Sequence, residues 1–395
     1  MTPSARRTDL DWLRIIAFGL LIFYHVGLFY VPWTWHVNTD SPIVALEPLL
    51  MLLNPWRLML LFLISGVATR FMFDKMKTGD FLKNRMNRLF WPLLFGVFVI
   101  VPPQVYYEMA EKLGYSGSGW DFYARYVTGD WEGTAARWAV TPSYNHLWFV
   151  AYLIAYTLLI VPLSAVLKRM SAFVAPMASP LALMIGPALY LIVANVWLKD
   201  FFQGGPRGLP IAWYAHFEYF AAFLFGYAIA KYDVFFDACL KYRKLAVGAA
   251  FASWGGLMAG GAAFYAAGQS LPEWAKAISH ILHAIQAWGA IVALIGFAQI
   301  FLKKDGPVRR YLTDAIFAYY IVHQTVIVVA GYYIDQLTWP IWIEALLVIS
   351  ITLLACYASY EIARRVAWLR PLFGLKPKSA QDGDKPIEAQ RAGAT

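Results

Sequence analysis

The chain has 395 residues, of which 60% are hydrophobic and only 14% charged, with a mean hydropathy of +0.52. Soluble domains carry about 25% charged residues, so lipid is the solvent this composition suits, and its 17 Trp, 24 Tyr and 27 Phe fit membrane interfaces, where Trp and Tyr concentrate. The net charge of +9 does not describe a nucleic-acid surface, because Lys and Arg fall in short clusters between apolar runs and not along one polar face.

Runs of roughly 20 apolar residues, the length that crosses a bilayer, predict an all-α polytopic membrane protein. About ten transmembrane helices are expected, near 11–31, 50–73, 89–107, 146–167, 180–198, 213–231, 245–266, 275–302, 312–334 and 341–363. Aromatic and His-containing sequence follows the first run where a small-residue cleavage site would stand, so that helix is expected to stay in the mature chain. Arg6-Arg7, the basic run 75–88, Lys168-Arg169, 241–244, 303–310, Arg364-Arg365 and the tail all fall on one side. The positive-inside rule makes that side, and both termini, cytoplasmic.

Cys239 and Cys356 fall on or near the same side, and no disulfide is expected. The largest loop on the opposite side, about 108–145, is rich in Gly and aromatics and long enough to cover a site. Residues 1–375 are expected to form one transmembrane domain and 376–395, poor in large apolar residues, a disordered cytoplasmic tail.

In this topology none of the seven histidines is cytoplasmic. His36 lies in the first outer loop, His146 and His216 at outer helix ends, and His280 and His283 in the outer third of the eighth span. Two histidines alone are weak grounds for a metal, and none is expected. His25 and His323 lie within spans, where an ionisable group is costly and by default marks a site or a pathway. At 100° per residue Asp11, Arg14 and His25 share one stripe of the first helix, with His25 about 16 Å beyond Arg14 by helical rise.

Arg57 lies in the outer half of the second span and needs either an acid such as Glu47, Glu218 or Glu344, or an anionic ligand. Arg85 and Arg88, three apart at the cytoplasmic mouth, share a face and suit phosphate. Ordinary positive-inside charge would read the same way.

Leu10-Asp11-Trp12-Leu13-Arg14 followed by His25, then Phe62-Leu63-Ile64-Ser65-Gly66, then Arg85 and Arg88 with Pro92 behind them, and finally Tyr320-Ile321-Val322-His323-Gln324 together resemble the membrane acyltransferase-3 family over roughly residues 8–365. Within it, Thr34-Trp35-His36-Val37-Asn38, the Arg57 helix leading into Ser65-Gly66, and Asn145-His146-Leu147-Trp148-Phe149 are similar to the branch that succinylates osmoregulated periplasmic glucans. The resemblance implies a transmembrane acyltransferase domain in a bacterial inner membrane. Acyl-CoA, as succinyl-CoA, would donate from the cytosol, a periplasmic glucan hydroxyl would accept, and glucan-synthesis proteins would be partners.

The resemblance makes His25 the catalytic histidine and Arg14, Arg85 and Arg88 functional arginines that bind acyl-CoA. Position alone adds Asp11 and His323 to the catalytic set, and Arg57, His36, Asn38, His146, Trp148 and Glu218 to the acyl- and glucan-binding set. An O-acetyltransferase acting on another cell-surface glycan, a glycan or anion permease, and a structural membrane subunit stay open at this point.

Overall fold

The structure is a computed structural model that describes residues 7–134, 136, 140–174, 179–198 and 213–377. Most of the expected tail, 378–395, lies outside the described residues, as do Arg6 and residues 199–212. Among the described residues the regular elements are all helical: α1 (Thr8–Tyr30), α2 (Glu47–Lys75), α3 (Thr78–Phe95), α4 (Pro102–Leu113), α5 (Gly119–Thr128), α6 (Trp148–Val174), α7 (Pro180–Val193), α8 (Trp213–Ile229), α9 (Asp233–Ala266), α10 (Glu273–Phe301), α11 (Pro307–Ile334) and α12 (Ile341–Arg365).

Nine helical segments among the described residues are long and apolar enough to cross a membrane, α3 and α4 counting as one of 36 residues. The sixth expected span corresponds to α8, with 17 residues. Two helices start well before the predicted spans, α3 at Thr78 and α9 at Asp233. Their first turns are amphipathic, burying Phe81 in one case and Phe235, Phe236 and Cys239 in the other. A hydropathy reading discards such turns as loop because half their face is charged.

The chain divides into two compact units. One comprises Met1–Ala17, Ala45–Leu82 and Ala155–Lys304, the other Phe18–Val44, Lys83–Ile154 and Asp305–Thr395.

In the first unit α2 packs on α8 and α9 pairs with α10. A Cβ on Gly66 would stand 2.0 Å from the Phe223 carbonyl oxygen, and one on Gly226 would stand 2.1 Å from the Leu63 carbonyl oxygen. The two backbones therefore touch, as small residues allow where lipid gives helices no hydrophobic drive to associate. Gly66→Ala must part the helices. Overpacking costs about 1–3 kcal/mol, so we expect a lower melting temperature in a thermal scan of the detergent-solubilised protein, whereas Gly255→Ala, with nothing within 4 Å of its Cβ, leaves it unchanged. Pro55 interrupts α2 and removes the donor that would serve the Met51 carbonyl; Gln286 Nε2 of α10 serves it instead, at 3.0 Å.

In the second unit the break between α3 and α4 shapes the local structure. Pro102 and Pro103 cannot donate, and the chain passes through a π turn at Gly96–Ile100, with Val101 N bonding Gly96 O at 2.8 Å. Three carbonyls around the break are taken by side chains: Val97 O by the Tyr126 hydroxyl (2.8 Å), Phe98 O by the Tyr123 hydroxyl (3.0 Å) and Ile100 O by the Thr325 hydroxyl (2.7 Å). Irregular backbone at membrane depth survives only with such partners.

The expected outer loop thus contains the end of α4 and the whole of α5, each closed by a glycine in the left-handed region, Gly114 (φ 63°) and Gly129 (φ 72°). Tyr126 is fully buried, and burial pushes its phenol up to about 12, so it remains a proton donor to Val97 O at any physiological pH.

Candidate functional site

The second unit gathers four of the seven histidines into one buried polar network. His25 arrives on α1, His36 on the loop after it, His146 on the turn preceding α6, and His323 on α11. Polar groups at such depth must be hydrogen-bonded, and the partners assign each tautomer.

His323 Nδ1 lies 2.7 Å from the Tyr320 carbonyl oxygen, which can only accept, so Nδ1 carries the proton and Nε2 carries the lone pair. His25 Nδ1, 2.8 Å from that Nε2, is then the donor, and the lone pair of His25 resides on its Nε2. The two rings are nearly parallel, 5° apart with centroids at 5.0 Å, and Trp35 stacks beyond His25 at 6.1 Å. His323 is fully buried, while His25 is only partly so.

His146 Nε2 donates to the Ile321 carbonyl at 2.9 Å, and its main-chain oxygen accepts the Tyr320 hydroxyl. Its Nδ1 faces Gln104 Nε2 at 3.3 Å. Gln104, fully buried, is the hub. Its amide nitrogen also donates to Thr325 Oγ1 (2.6 Å), and its oxygen accepts from Asn145 Nδ2 (3.2 Å) and Gln324 Nε2 (3.0 Å). Gln324 Nε2 in turn donates to His36 Nε2 (2.9 Å), which puts the His36 proton on Nδ1, 2.5 Å from Glu108 Oε2. Glu108, about one third exposed, in turn has Lys112 Nζ at 3.7 Å from its Oε1.

The π break makes this arrangement. Gln104 N turns to Val101 O, and the Ile100 carbonyl is held by the same Thr325 hydroxyl that accepts from the Gln104 amide. From Gln104, α4 carries Glu108 one turn on, so both project from one face toward the network.

Of the residues expected from sequence, His25, His36, His146 and His323 come together here. Asn38 organises the loop. Its Nδ2 donates to the carbonyls of Leu28, Val31 and Trp33, and its Oδ1 accepts from Trp35 N at 3.1 Å, so it fixes Trp35 and His36. Trp148 is buried against Tyr152, with ring centroids 5.2 Å apart. In the same unit Arg85 is half-buried and Arg88 exposed on α3, inside the helix and not ahead of it as the span reading had it.

In the first unit Asp11 pairs with Arg14 at 3.6 Å. Arg57 is buried in α2, 2% exposed. Glu218 accepts from the Tyr214 hydroxyl (2.6 Å) and from Asn195 Nδ2 (3.3 Å), while His216 bonds the Tyr156 hydroxyl at 2.9 Å. Among the described residues no group of three or more His, Cys, Asp or Glu is placed to hold a metal ion.

Sequence reasoning did not single out Gln104, Glu108 or Gln324 as site residues. For Gln104 the available signal was an amide directly after Pro102-Pro103 in an apolar run; for Gln324 it was the neighbouring His323.

The family described as Acyltransferase domain matches residues 7–361. Among curated proteins the chain is similar to Glucans biosynthesis protein C of Shigella boydii serotype 4 (strain Sb227), 28% identical over 160 residues, which cover 40% of this chain and 39% of that protein. The proteins of the same name from Escherichia coli O1:K1 / APEC and Escherichia coli O139:H28 (strain E24377A / ETEC) match with the same identity and coverage. The aligned stretch therefore spans about two fifths of the length of these relatives. No solved structure matches significantly.

Proposed function

The chain belongs to the acyltransferase-3 family, whose match runs over nearly its whole length, and from that premise we propose that it transfers an acyl group, succinyl, from cytosolic acyl-CoA to a hydroxyl of a periplasmic glucan in a bacterial inner membrane. The glucan comes from the relatives' printed name; the His25 geometry supports the chemistry.

The carrying observation is the chain from His25 Nδ1–H to His323 Nε2 and from His323 Nδ1–H to the Tyr320 carbonyl. It holds the lone pair of His25 on Nε2, where a general base needs it. The glucan hydroxyl gives its proton to that nitrogen as its oxygen attacks the thioester carbonyl carbon. The C–O bond forms, the C–S bond breaks on collapse of the tetrahedral intermediate, and the departing thiolate takes the proton from the His25 imidazolium. His323, accepting from Nδ1–H, stabilises that imidazolium and fixes the ring, as an orienting partner does in a catalytic triad.

Arg85 and Arg88 are assigned to the phosphates of the donor, since guanidinium groups bind phosphate bidentately. Arg14 has the same assignment, and Asp11, paired with Arg14 at 3.6 Å, is assigned to the catalytic set as the acid that positions it. Arg57 is assigned to the free carboxylate of a succinyl donor on its charge and burial. His36, His146, Asn38 and Trp148 are assigned to the acceptor side, and Glu218 is kept as a hydrogen-bonding contact for glucan.

Mass spectrometry of periplasmic glucans with and without the gene tests the whole reading. We expect a mass increase of succinyl size that depends on the gene; unmodified glucan in both strains overturns it. Arg57→Ala should lower succinyl transfer at least tenfold more than acetyl transfer, measured with the two donors in parallel. Equal losses would remove the carboxylate assignment.

A further inference from the structure

Asp74, in the last turn of α2, is held by three cations of its own unit. Arg70 Nε, one turn earlier on α2, lies at 2.9 Å, Lys168 Nζ of α6 at 2.6 Å, and Lys231 Nζ of the turn after α8 at 2.5 Å. Both carboxylate oxygens are occupied, and among the described residues Lys168 and Lys231 pair with no other acid. Three positive charges against one negative leave the cluster at +2.

The surroundings do little to dilute that charge. Arg70 is 7% exposed, its guanidinium over the Tyr227 ring at 5.2 Å, and its Nη1 is buried with no hydrogen-bond partner among the described residues. Lys168 Nζ lies over the Phe73 ring at 4.8 Å. The two lysines are the open side of the cluster, 34% and 46% exposed. Tethering α2 to α6 and α8 requires one cation per carboxylate; three cations crowded on one acid repel each other unless a second anion shares them. An ammonium carries three donors, and each lysine uses one on Asp74.

We propose that Lys168 and Lys231, with Arg70 behind them and Asp74 holding the ammonium groups in place, form a binding site for a phosphate group. Phosphate supplies the missing charge and acceptors for the remaining lysine donors. Two sources carry this chemistry in a membrane acyltransferase, the headgroup of an anionic phospholipid and the 3′-phosphate of CoA. The second source rests on the acyl-CoA reading above, and the first does not.

The test uses the full-length protein in phosphatidylcholine nanodiscs, as wild type, as Lys168→Gln/Lys231→Gln and as the charge-matched control Lys241→Gln/Lys244→Gln. Three ligands are titrated: CoA, dephospho-CoA lacking the 3′-phosphate, and phosphatidylglycerol followed by native mass spectrometry. The site variant should weaken one phosphate ligand at least tenfold while the control stays within twofold of wild type. Weaker CoA with unchanged dephospho-CoA assigns the nucleotide, and loss of retained phosphatidylglycerol with unchanged CoA assigns the lipid.

Lys168→Arg/Lys231→Arg should restore whichever binding was lost. If CoA and phosphatidylglycerol both bind the site variant within twofold of wild type, or if the control loses as much, the proposal is overturned. Glucan esterification measured on the same strains keeps the two readings separate, since loss of the phosphate site leaves the His25 chemistry to be judged on its own variants.

Discussion

We expect His25→Ala to abolish the proposed glucan esterification while the protein still accumulates in the membrane. A positioned general base contributes roughly 10²–10⁴-fold to rate, or about 2.7–5.5 kcal/mol of barrier at 1.36 kcal/mol per decade. Ala removes that base entirely. His25→Asn is the sharper variant, because an amide can still donate to His323 Nε2 while offering no lone pair basic enough to take a hydroxyl proton. Both variants should lose kcat with KM for the donor near the wild-type value, since donor binding is assigned to the arginines and not to the imidazole. Purified protein, a short β-glucan and succinyl-CoA, with free thiol as the readout, measure this. Wild-type turnover in His25→Asn would show that proton abstraction occurs elsewhere and that His25 only holds the network together.

The histidines were legible because an ionisable side chain in an apolar span stands out against its surroundings. His25 and His323 lie beside runs such as Leu20-Leu21-Ile22 and Val326-Ile327-Val328, where lipid or a dry core would exclude them without a reason. Helical spans were legible for the same physical cause, and α1, α10, α11 and α12 begin within a few residues of the predicted limits.

Gln104 and Gln324 carry no charge, and nothing in a single sequence distinguishes an amide that joins three elements from one that faces a neighbouring helix. The break at residues 96–101 was hidden differently. Pro102-Pro103 marks an interruption, but which side chains take up the released carbonyls depends on Tyr123, Tyr126 and Thr325, which are 25, 29 and 225 residues away in sequence from the carbonyls they bond. Phe62-Leu63-Ile64-Ser65-Gly66, matched as a motif, has a packing explanation that appears only when Phe223 and Gly226 are placed against it. Asn38, expected among ligand contacts, spends its amide on three carbonyls of its own loop.

Replacing His323 tests the tautomer argument without touching the base. His323→Phe keeps a flat ring of similar size beside His25 and removes the acceptor at Nε2. His25 Nδ1–H then faces an apolar ring, which has two effects: neither ring nitrogen is any longer favoured to hold the proton, and the imidazolium formed in the reaction loses its hydrogen bond. In serine proteases, a misassigned tautomer through loss of the orienting carboxylate costs about 10⁴ in kcat. A neutral imidazole is a weaker acceptor than a carboxylate, so the expected loss is on the order of 10²-fold, again in kcat and not in KM.

His323→Gln separates orientation from packing, because its amide oxygen can accept from His25 Nδ1–H where the benzene ring cannot. We expect it to recover at least tenfold over His323→Phe in the same thiol-release assay. If Phe and Gln at position 323 lose activity equally, the contact between His25 and His323 fills space and does not set the proton, and the lone pair on His25 Nε2 must be held there by some other group.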